Sequence, residues 1–215
     1  SSLKTDSEHQ AGGLEGGADG YIARPVHKRE LLARIEALAR IRRTQLALKE
    51  IALHDPLTGL PNRKLFGDRL DQAVRRARRT GEIVAVLYLD LDGFKAVNDT
   101  FGHAAGDSVL RETARRILSV LRESDTASRF GGDEFAVVLP GLQHREAAAQ
   151  VVDKIRSALA NPAACAGYGG AIGASIGAAL FPDDGDDGAA VLERADEAMY
   201  RVKRGRKRGG PGGEG

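Results

Sequence analysis

Seven consecutive apolar residues, Ile83 to Leu89 (IVAVLYL), limit how this chain can fold. A run of that length reads as a strand, and a strand with no polar position has no face to give to water. It must be covered on both sides, which predicts a central strand between two layers. Helical spacing supplies the cover, over 26–53, 64–79, 94–99, 106–122, 144–160 and 187–204. In the fourth of these, Val109, Leu110, Ala114, Ile117 and Leu121 share one face. Further strands are predicted over 127–130, 134–139 and 171–181. Strands alternating with helices, around a hairpin, predict an α+β sandwich.

The turn chemistry agrees with this division. His54-Asp55-Pro56 ends the first helix, because a residue before proline avoids the α region. Thr58-Gly59-Leu60-Pro61-Asn62-Arg63 is rich in turn formers and reads as a structured connector. Gly131-Gly132 supplies positive φ without steric cost and is predicted to be the two-residue turn of a hairpin. Within the first helix, Leu38, Ile41, Gln45, Leu48 and Ala52 step by threes and fours, a short heptad seam interrupted at Arg34, where Ile35 takes over. A helix packing on its own domain and a seam shared with a second chain both fit this pattern.

Composition narrows the class. The 215 residues are 42% hydrophobic and 29% charged, as expected of a globular protein. No apolar stretch reaches the eighteen or so residues of a membrane span, and the first residues lack the order of a secretion signal. Cys165 is the single cysteine, so neither an internal disulfide nor a multi-cysteine metal site is expected, and a cytoplasmic location is. A net charge of +2 gives no global case for a nucleic-acid partner, and no membrane partner is expected. Six of the eight residues from Arg201 to Arg208 are basic, which fits a solvated tail or a surface that attracts phosphate.

Two acidic spots carry the chemistry. The central strand runs into Asp90-Leu91-Asp92, where alternation puts both carboxylates on one face. The hairpin carries Asp133 and Glu134 directly after its glycines. If the hairpin pairs beside the central strand, three or four carboxylates meet at one sheet edge and repel one another unless a cation sits among them. Hard divalent ions such as Mg²⁺ suit all-oxygen ligand sets and arrive with phosphates, which points to metal-assisted phosphoryl or nucleotidyl transfer. Polar turns would explain each spot taken alone.

The string Arg129-Phe130-Gly131-Gly132-Asp133-Glu134-Phe135 resembles the signature of the GGDEF family of diguanylate cyclases. Companion motifs stand in the family's order. Asp55-Pro56-Leu57-Thr58-Gly59-Leu60-Pro61-Asn62-Arg63 is similar to its opening segment, and Asp90-Leu91-Asp92-Gly93-Phe94-Lys95 to its acidic strand end. Asn98-Asp99, Gly102-His103 and Gly106-Asp107 are similar to its guanine segment. Ser175-Ile176-Gly177, Phe181-Pro182 and Ala195-Asp196-Glu197-Ala198-Met199-Tyr200 follow. The resemblance implies a palm-like α+β domain over 54–207, with a central, mostly antiparallel five-stranded sheet flanked by helices. It implies condensation of two GTP into cyclic di-GMP, with two pyrophosphates released, between two protomers of a homodimer.

By match of position, the resemblance assigns metal binding to Asp90, the carbonyl of Leu91 and Asp133, with Mg²⁺ or Mn²⁺, two per site, as cofactor. Asp133, Glu134 and Lys95 are the implied catalytic residues, with Lys95 meeting the β- and γ-phosphates. Phe94, Lys95, Asn98, Asp107, Lys203 and Arg206 are the implied substrate-binding set. Asn98 and Asp107 would read the guanine, since a carboxylate accepts from both N1–H and the 2-amino group, a pair of donors that adenine lacks. Arg122-Glu123-Ser124-Asp125 matches the family's R-x-x-D site, where Arg122 and Asp125 would grip product as a feedback inhibitor.

One departure stands out. The family ends with Tyr-x-x-Lys-x-x-Gly-Arg-Asn, whereas Tyr200 to Lys207 is one residue shorter. Lys203 transfers directly, and Arg206 is displaced by one position. At the front, Gly13 to Pro25 resembles the last third of a response-regulator receiver, with Arg24 in place of its lysine. The expected organisation is a receiver remnant over 1–43, a linker helix over 44–53, the cyclase domain over 54–207 and a flexible tail over 208–215. Phosphorylation is not expected to regulate the chain as given. A GGDEF module that binds GTP or cyclic di-GMP without turnover is the alternative, and a nucleic-acid adaptor using the basic tail is a third reading.

Overall fold

The computed structural model describes residues 28–160 and 173–208, and the chain divides into two units at residues 50 and 51. The resemblance at Gly13–Pro25, Cys165, the last residues of the tail and the side chains of Gln45, Leu48 and Lys207 lie outside the described residues. Helix α1 (Lys28–Leu53) runs out of the first unit. Its apolar residues Leu32, Ile35, Leu38 and Ile41 are 48–54% exposed, so this stretch of the helix is uncovered.

The second unit contains the sheet. Its elements are α2 (Arg63–Thr80), β1 (Ile83–Asp92), α3 (Phe94–Phe101), α4 (His103–Val120), β2 (Thr126–Gly131), β3 (Glu134–Leu142), α5 (Glu146–Leu159), β4 (Gly173–Phe181) and α6 (Gly188–Arg208). The strands lie in the order β2-β3-β1-β4, and each neighbouring pair is antiparallel. Four strands are therefore found among the described residues rather than five. The periodicity marked only four, and the fifth came from the family resemblance.

β1 is central and buried from Val84 to Leu91, as its unbroken apolar run requires. Its odd residues Ala85, Leu87, Leu89 and Leu91 pack with Val109, Leu110, Ala114 and Ile117 of α4 and with Val152, Ile155 and Leu159 of α5. Its even residues Val84, Val86 and Tyr88 face Phe66, Leu70 and Val74 of α2 and Val191, Ala195 and Met199 of α6. Asp90 and Asp92 continue the even series, so they exit the sheet on the α6 side.

Gly177 fixes how closely α6 approaches. A Cβ there would lie 2.0 Å from the Met199 amide nitrogen and 2.2 Å from the Ala195 carbonyl oxygen. The helix backbone thus rests directly on β4, and its last turns pass over the acidic end of β1.

The hairpin differs from its sequence reading by one residue. Gly131 pairs with Glu134, so the two-residue turn is Gly132-Asp133, not Gly131-Gly132. A register shift between Arg129 and Gly131 leaves Phe130 as the extra residue of a bulge. Its ring stacks edge-on against Phe66 at 5.0 Å and Tyr88 at 5.5 Å, which anchors the bulge in the core. Helix α4 also begins earlier than its apolar stripe predicts, at His103.

Candidate active site

β1 and the hairpin turn meet at the sheet's edge. Asp90 lies opposite Glu134 in the β1–β3 register, and the Leu91 amide donates to the Asp133 carbonyl at 3.2 Å. Asp90, Leu91 and Asp133 are therefore brought together. Asp90 is 6% exposed, which would be costly for an unpartnered carboxylate. Lys203 Nζ donates to both of its oxygens at 2.6 Å.

One turn further along α6, Arg206 donates to Asp92 Oδ2 and, at 3.1 Å, to the Ala174 carbonyl. Ser175 Oγ donates to Asp92 Oδ1 at 2.7 Å. The shortened basic motif thus still delivers its arginine to this face. Residues three and four apart lie on the same side of a helix, so losing one residue moves Arg206 without turning it away.

The electrostatics show an unbalanced anion pair. Burial and the charge of Asp90 hold the Asp133 carboxyl above its ordinary range, against its own amide, Lys203 and Arg129. Burial disfavours the charge on Lys203, but Asp90, Asp133 and Asp92 outweigh it and raise the ammonium's pKa. The donor set available to a metal is two carboxylates and the Leu91 carbonyl, all hard oxygens, at a place that already attracts a cation. Such a set suits Mg²⁺ or Mn²⁺, which complete their shells with water and phosphate.

The carboxylates meet at this edge, as the pairing of the hairpin with β1 requires, but not as a single metal-binding cluster. No group of three or more histidine, cysteine or acidic side chains among the described residues is disposed to hold a metal ion. Glu134 turns instead towards Tyr88, whose hydroxyl donates to Glu134 Oε2 at 3.2 Å. Burial, together with Glu134 and Asp196, raises the Tyr88 phenol in turn. Asp92 is engaged by Ser175 and Arg206, as described above.

The residues expected at the nucleotide follow at once. Gly93, with φ 81°, turns the chain from β1 into α3, and it has no side chain to offer the first-turn amides of that helix. Phe94 is half-buried and Lys95 exposed in this turn. Uncapped amides beside a lysine form a surface suited to phosphate. Asn98, later in α3, has its side chain against Gly106 of α4, the residue before Asp107. Asn98 and Asp107 thus share the α3–α4 corner.

Arg122 and Asp125 stand apart from this set, in the link between α4 and β2. Asp125 Oδ2 accepts from the Arg122 amide at 2.9 Å, and the Asp125 amide donates to the Arg122 carbonyl at 3.0 Å. The motif is a closed turn that leaves the Arg122 side chain exposed.

Sequence reasoning missed four supporting residues. Tyr88 and Ser175 looked like strand interior, Gly106 carried no signal beyond its place in a motif, and Arg129 was read only as the start of a signature. Arg129 Nη1 donates to both oxygens of Asp55 at 3.1 and 3.0 Å, while its Nε and Nη2 donate to the Gly132 carbonyl at 3.1 and 2.8 Å. It therefore ties the opening motif to the turn that carries Asp133.

Comparison with known proteins agrees with this layout. Residues 52–208 match the family model described as diguanylate cyclase, GGDEF domain. The diguanylate cyclase TpbB of Pseudomonas aeruginosa is 45% identical over 167 residues, covering 77% of this chain and 38% of that protein. The response regulator PleD of Caulobacter vibrioides is 36% identical over 200 residues, covering 88% of this chain and 44% of that protein. This chain thus spans less than half the length of either. The crystal structure of the coiled coil and GGDEF domain of DgcB from Caulobacter crescentus, in complex with c-di-GMP, superposes with a TM-score of 0.73. It is 34% identical, and the match covers 83% of this chain and 94% of that one. The chain belongs to the GGDEF family of diguanylate cyclases.

Proposed function

We propose that this chain condenses two GTP molecules into cyclic di-GMP with release of two pyrophosphates, each protomer of a homodimer presenting one GTP to the other. The observation that carries the reading is the pairing of Asp90 with the hairpin turn that bears Asp133, beside the α3–α4 corner that bears Asn98 and Asp107. Asp90, the Leu91 carbonyl and Asp133 would hold Mg²⁺ or Mn²⁺. The bound metal supplies neutralisation of the triphosphate and a lower pKa for the attacking 3′-hydroxyl.

The chain's own residues do the rest. Asp107 accepts from N1–H and the 2-amino group of guanine, and the Asn98 carboxamide fixes the base beside it. The first amides of α3, with Lys95, take the β- and γ-phosphates. Lys203 and Arg206, which pair with Asp90 and Asp92, would exchange those carboxylates for phosphate oxygens. Glu134, held by the Tyr88 hydroxyl, would serve as a proton acceptor.

Three further features belong to the same reading. Arg122 and Asp125 would bind product and restrain turnover. The exposed apolar residues of α1 would pair with the same helix of a second copy. The first residues would be the end of a receiver domain, a reading that the similarity to PleD supports.

The test is incubation of the purified chain with GTP and Mg²⁺, followed by mass spectrometry. Cyclic di-GMP with two equivalents of pyrophosphate is the expected product. Tight binding of GTP without product would instead establish a binding module.

A further inference from the structure

We propose that Gly106 determines the base specificity of the nucleotide pocket, by leaving on the flank of α4 the space in which the Asn98 carboxamide lies. The proposal rests on the guanine-reading role given to Asn98 and Asp107.

Gly106 is buried in the first turns of α4, and its φ is not positive, so its backbone would accept any residue. Glycine is a poor helix former and alanine a good one. Conformation therefore gives no reason for glycine here, whereas space does. A Cβ at position 106 would fall 2.0 Å from Asn98 Oδ1, 2.9 Å from its Cγ and 3.2 Å from Cζ of Phe94.

The backbone has little room to yield. The Gly102 amide donates to the Asn98 carbonyl at 2.9 Å, and the Gly102 carbonyl accepts from Ala105 at 3.1 Å and Gly106 at 3.3 Å. The α3–α4 corner is thus closed by main-chain bonds on both sides of Gly102. The group that can move is the end of the Asn98 side chain, by rotation about its own bonds.

A methyl group at position 106 therefore leaves the fold in place and turns the carboxamide away from Asp107. Guanine needs both groups, because it presents donors at N1 and N2 beside acceptors at O6 and N7. A carboxylate satisfies the first pair and an amide the second. An adenine nucleotide lacks the N1–H and 2-amino donors that Asp107 accepts, so its base is not seated against the corner and has less to lose when Asn98 is displaced.

The experiment measures binding of the α,β-methylene analogues of GTP and ATP to the full chain, to Gly106→Ala, to Asn98→Ala and to the double variant, alongside thermal unfolding. We expect Gly106→Ala to melt no lower than the parent. It should lose at least ten-fold in affinity for the guanosine analogue and keep its affinity for the adenosine analogue within two-fold. Asn98→Ala should show the same loss, and the double variant no more than either single one, since both remove one interaction. If the parent prefers guanosine and Gly106→Ala discriminates equally well, the inference is overturned alone. Losses that multiply in the double variant overturn it too, by placing the two residues in separate roles. A parent with no preference for guanosine overturns the guanine reading of the pocket, and this inference with it.

Discussion

Arg129 and Asp55 form an ion pair across the base of the hairpin, 3.0 Å apart, with side chains only 11% and 16% exposed. Asp55 also accepts from the Thr58 amide at 2.9 Å and hydroxyl at 2.6 Å, and the Arg129 amide donates to the Pro61 carbonyl at 3.0 Å. The opening motif is thus a brace for the turn that positions Asp133. Arg129→Ala should cost on the order of 3 kcal/mol, because it strands a nearly buried carboxylate. Arg129→Lys keeps the charge but loses the planar fork that reaches Asp55 and Gly132 together. It should fold, with a smaller loss in a urea titration, and still lose most of its rate of product formation. A lysine variant with the parent's rate would remove the positioning role.

Acid should unfold this chain in a defined window. Burial raises the Asp55 carboxyl, but Thr58 and Arg129 more than offset it and hold it below its ordinary range. Bonds from Arg115 and Arg116 bring Glu112 down to about 2. Both groups are depressed in the folded state, so their contribution is fully present above about pH 4.5 and is lost as pH falls towards about 2. The urea midpoint should therefore fall within that window, opposed in part by Asp133, whose raised carboxyl favours the fold once protonated. Arg129→Ala should flatten the part of the fall due to Asp55, and a parent whose midpoint does not change with acid would contradict this assignment.

Arg122 is exposed, and its turn is closed by its own amide and by Asp125, so its guanidinium is not needed for folding. Arg122→Ala should leave stability within about 0.5 kcal/mol of the parent and leave the initial rate unchanged. Inhibition by added cyclic di-GMP should weaken at least ten-fold. Inhibition at the parent's strength would take the regulatory role away from this turn.

In the proposed reaction each protomer presents one GTP, so turnover would require two copies. Specific activity should rise with protein concentration and level off as the dimer fills. Ile35→Lys or Leu38→Lys, on the uncovered face of α1, should move that rise to higher concentration without changing the plateau. A specific activity independent of concentration down to the lowest detectable level would argue against assembly through this helix.

The parts legible in the sequence were those whose physics is local. The apolar run of β1 announced a strand covered on both faces, whereas Asp90, Asp133 and Lys203, which the structure brings together, were legible only through the family motifs. The hairpin was legible but its register was not, because the bulge at Phe130 depends on a pocket made by Phe66 and Tyr88, distant in the chain. Glu134 was expected among the acidic residues, yet a strand neighbour's hydroxyl holds it. Arg129 and Asp55 are 74 residues apart, and a pair at that separation leaves no pattern in either segment. Gly106 and Gly177 act through the atoms they make room for, which only the packed chain reveals.

The claim beneath the rest is that carboxylates from β1 and from the hairpin turn share one divalent ion. Mn²⁺ binding followed by electron paramagnetic resonance, in the presence of a non-reactive GTP analogue, tests it with no need for turnover. Asp90→Asn and Asp133→Asn should each fold and each weaken Mn²⁺ binding at least ten-fold. Asp133→Asn should also melt no lower than the parent in metal-free buffer, because it removes a carboxyl that burial and Asp90 already disfavour as an anion. Parent-like Mn²⁺ affinity in either variant would contradict the shared site.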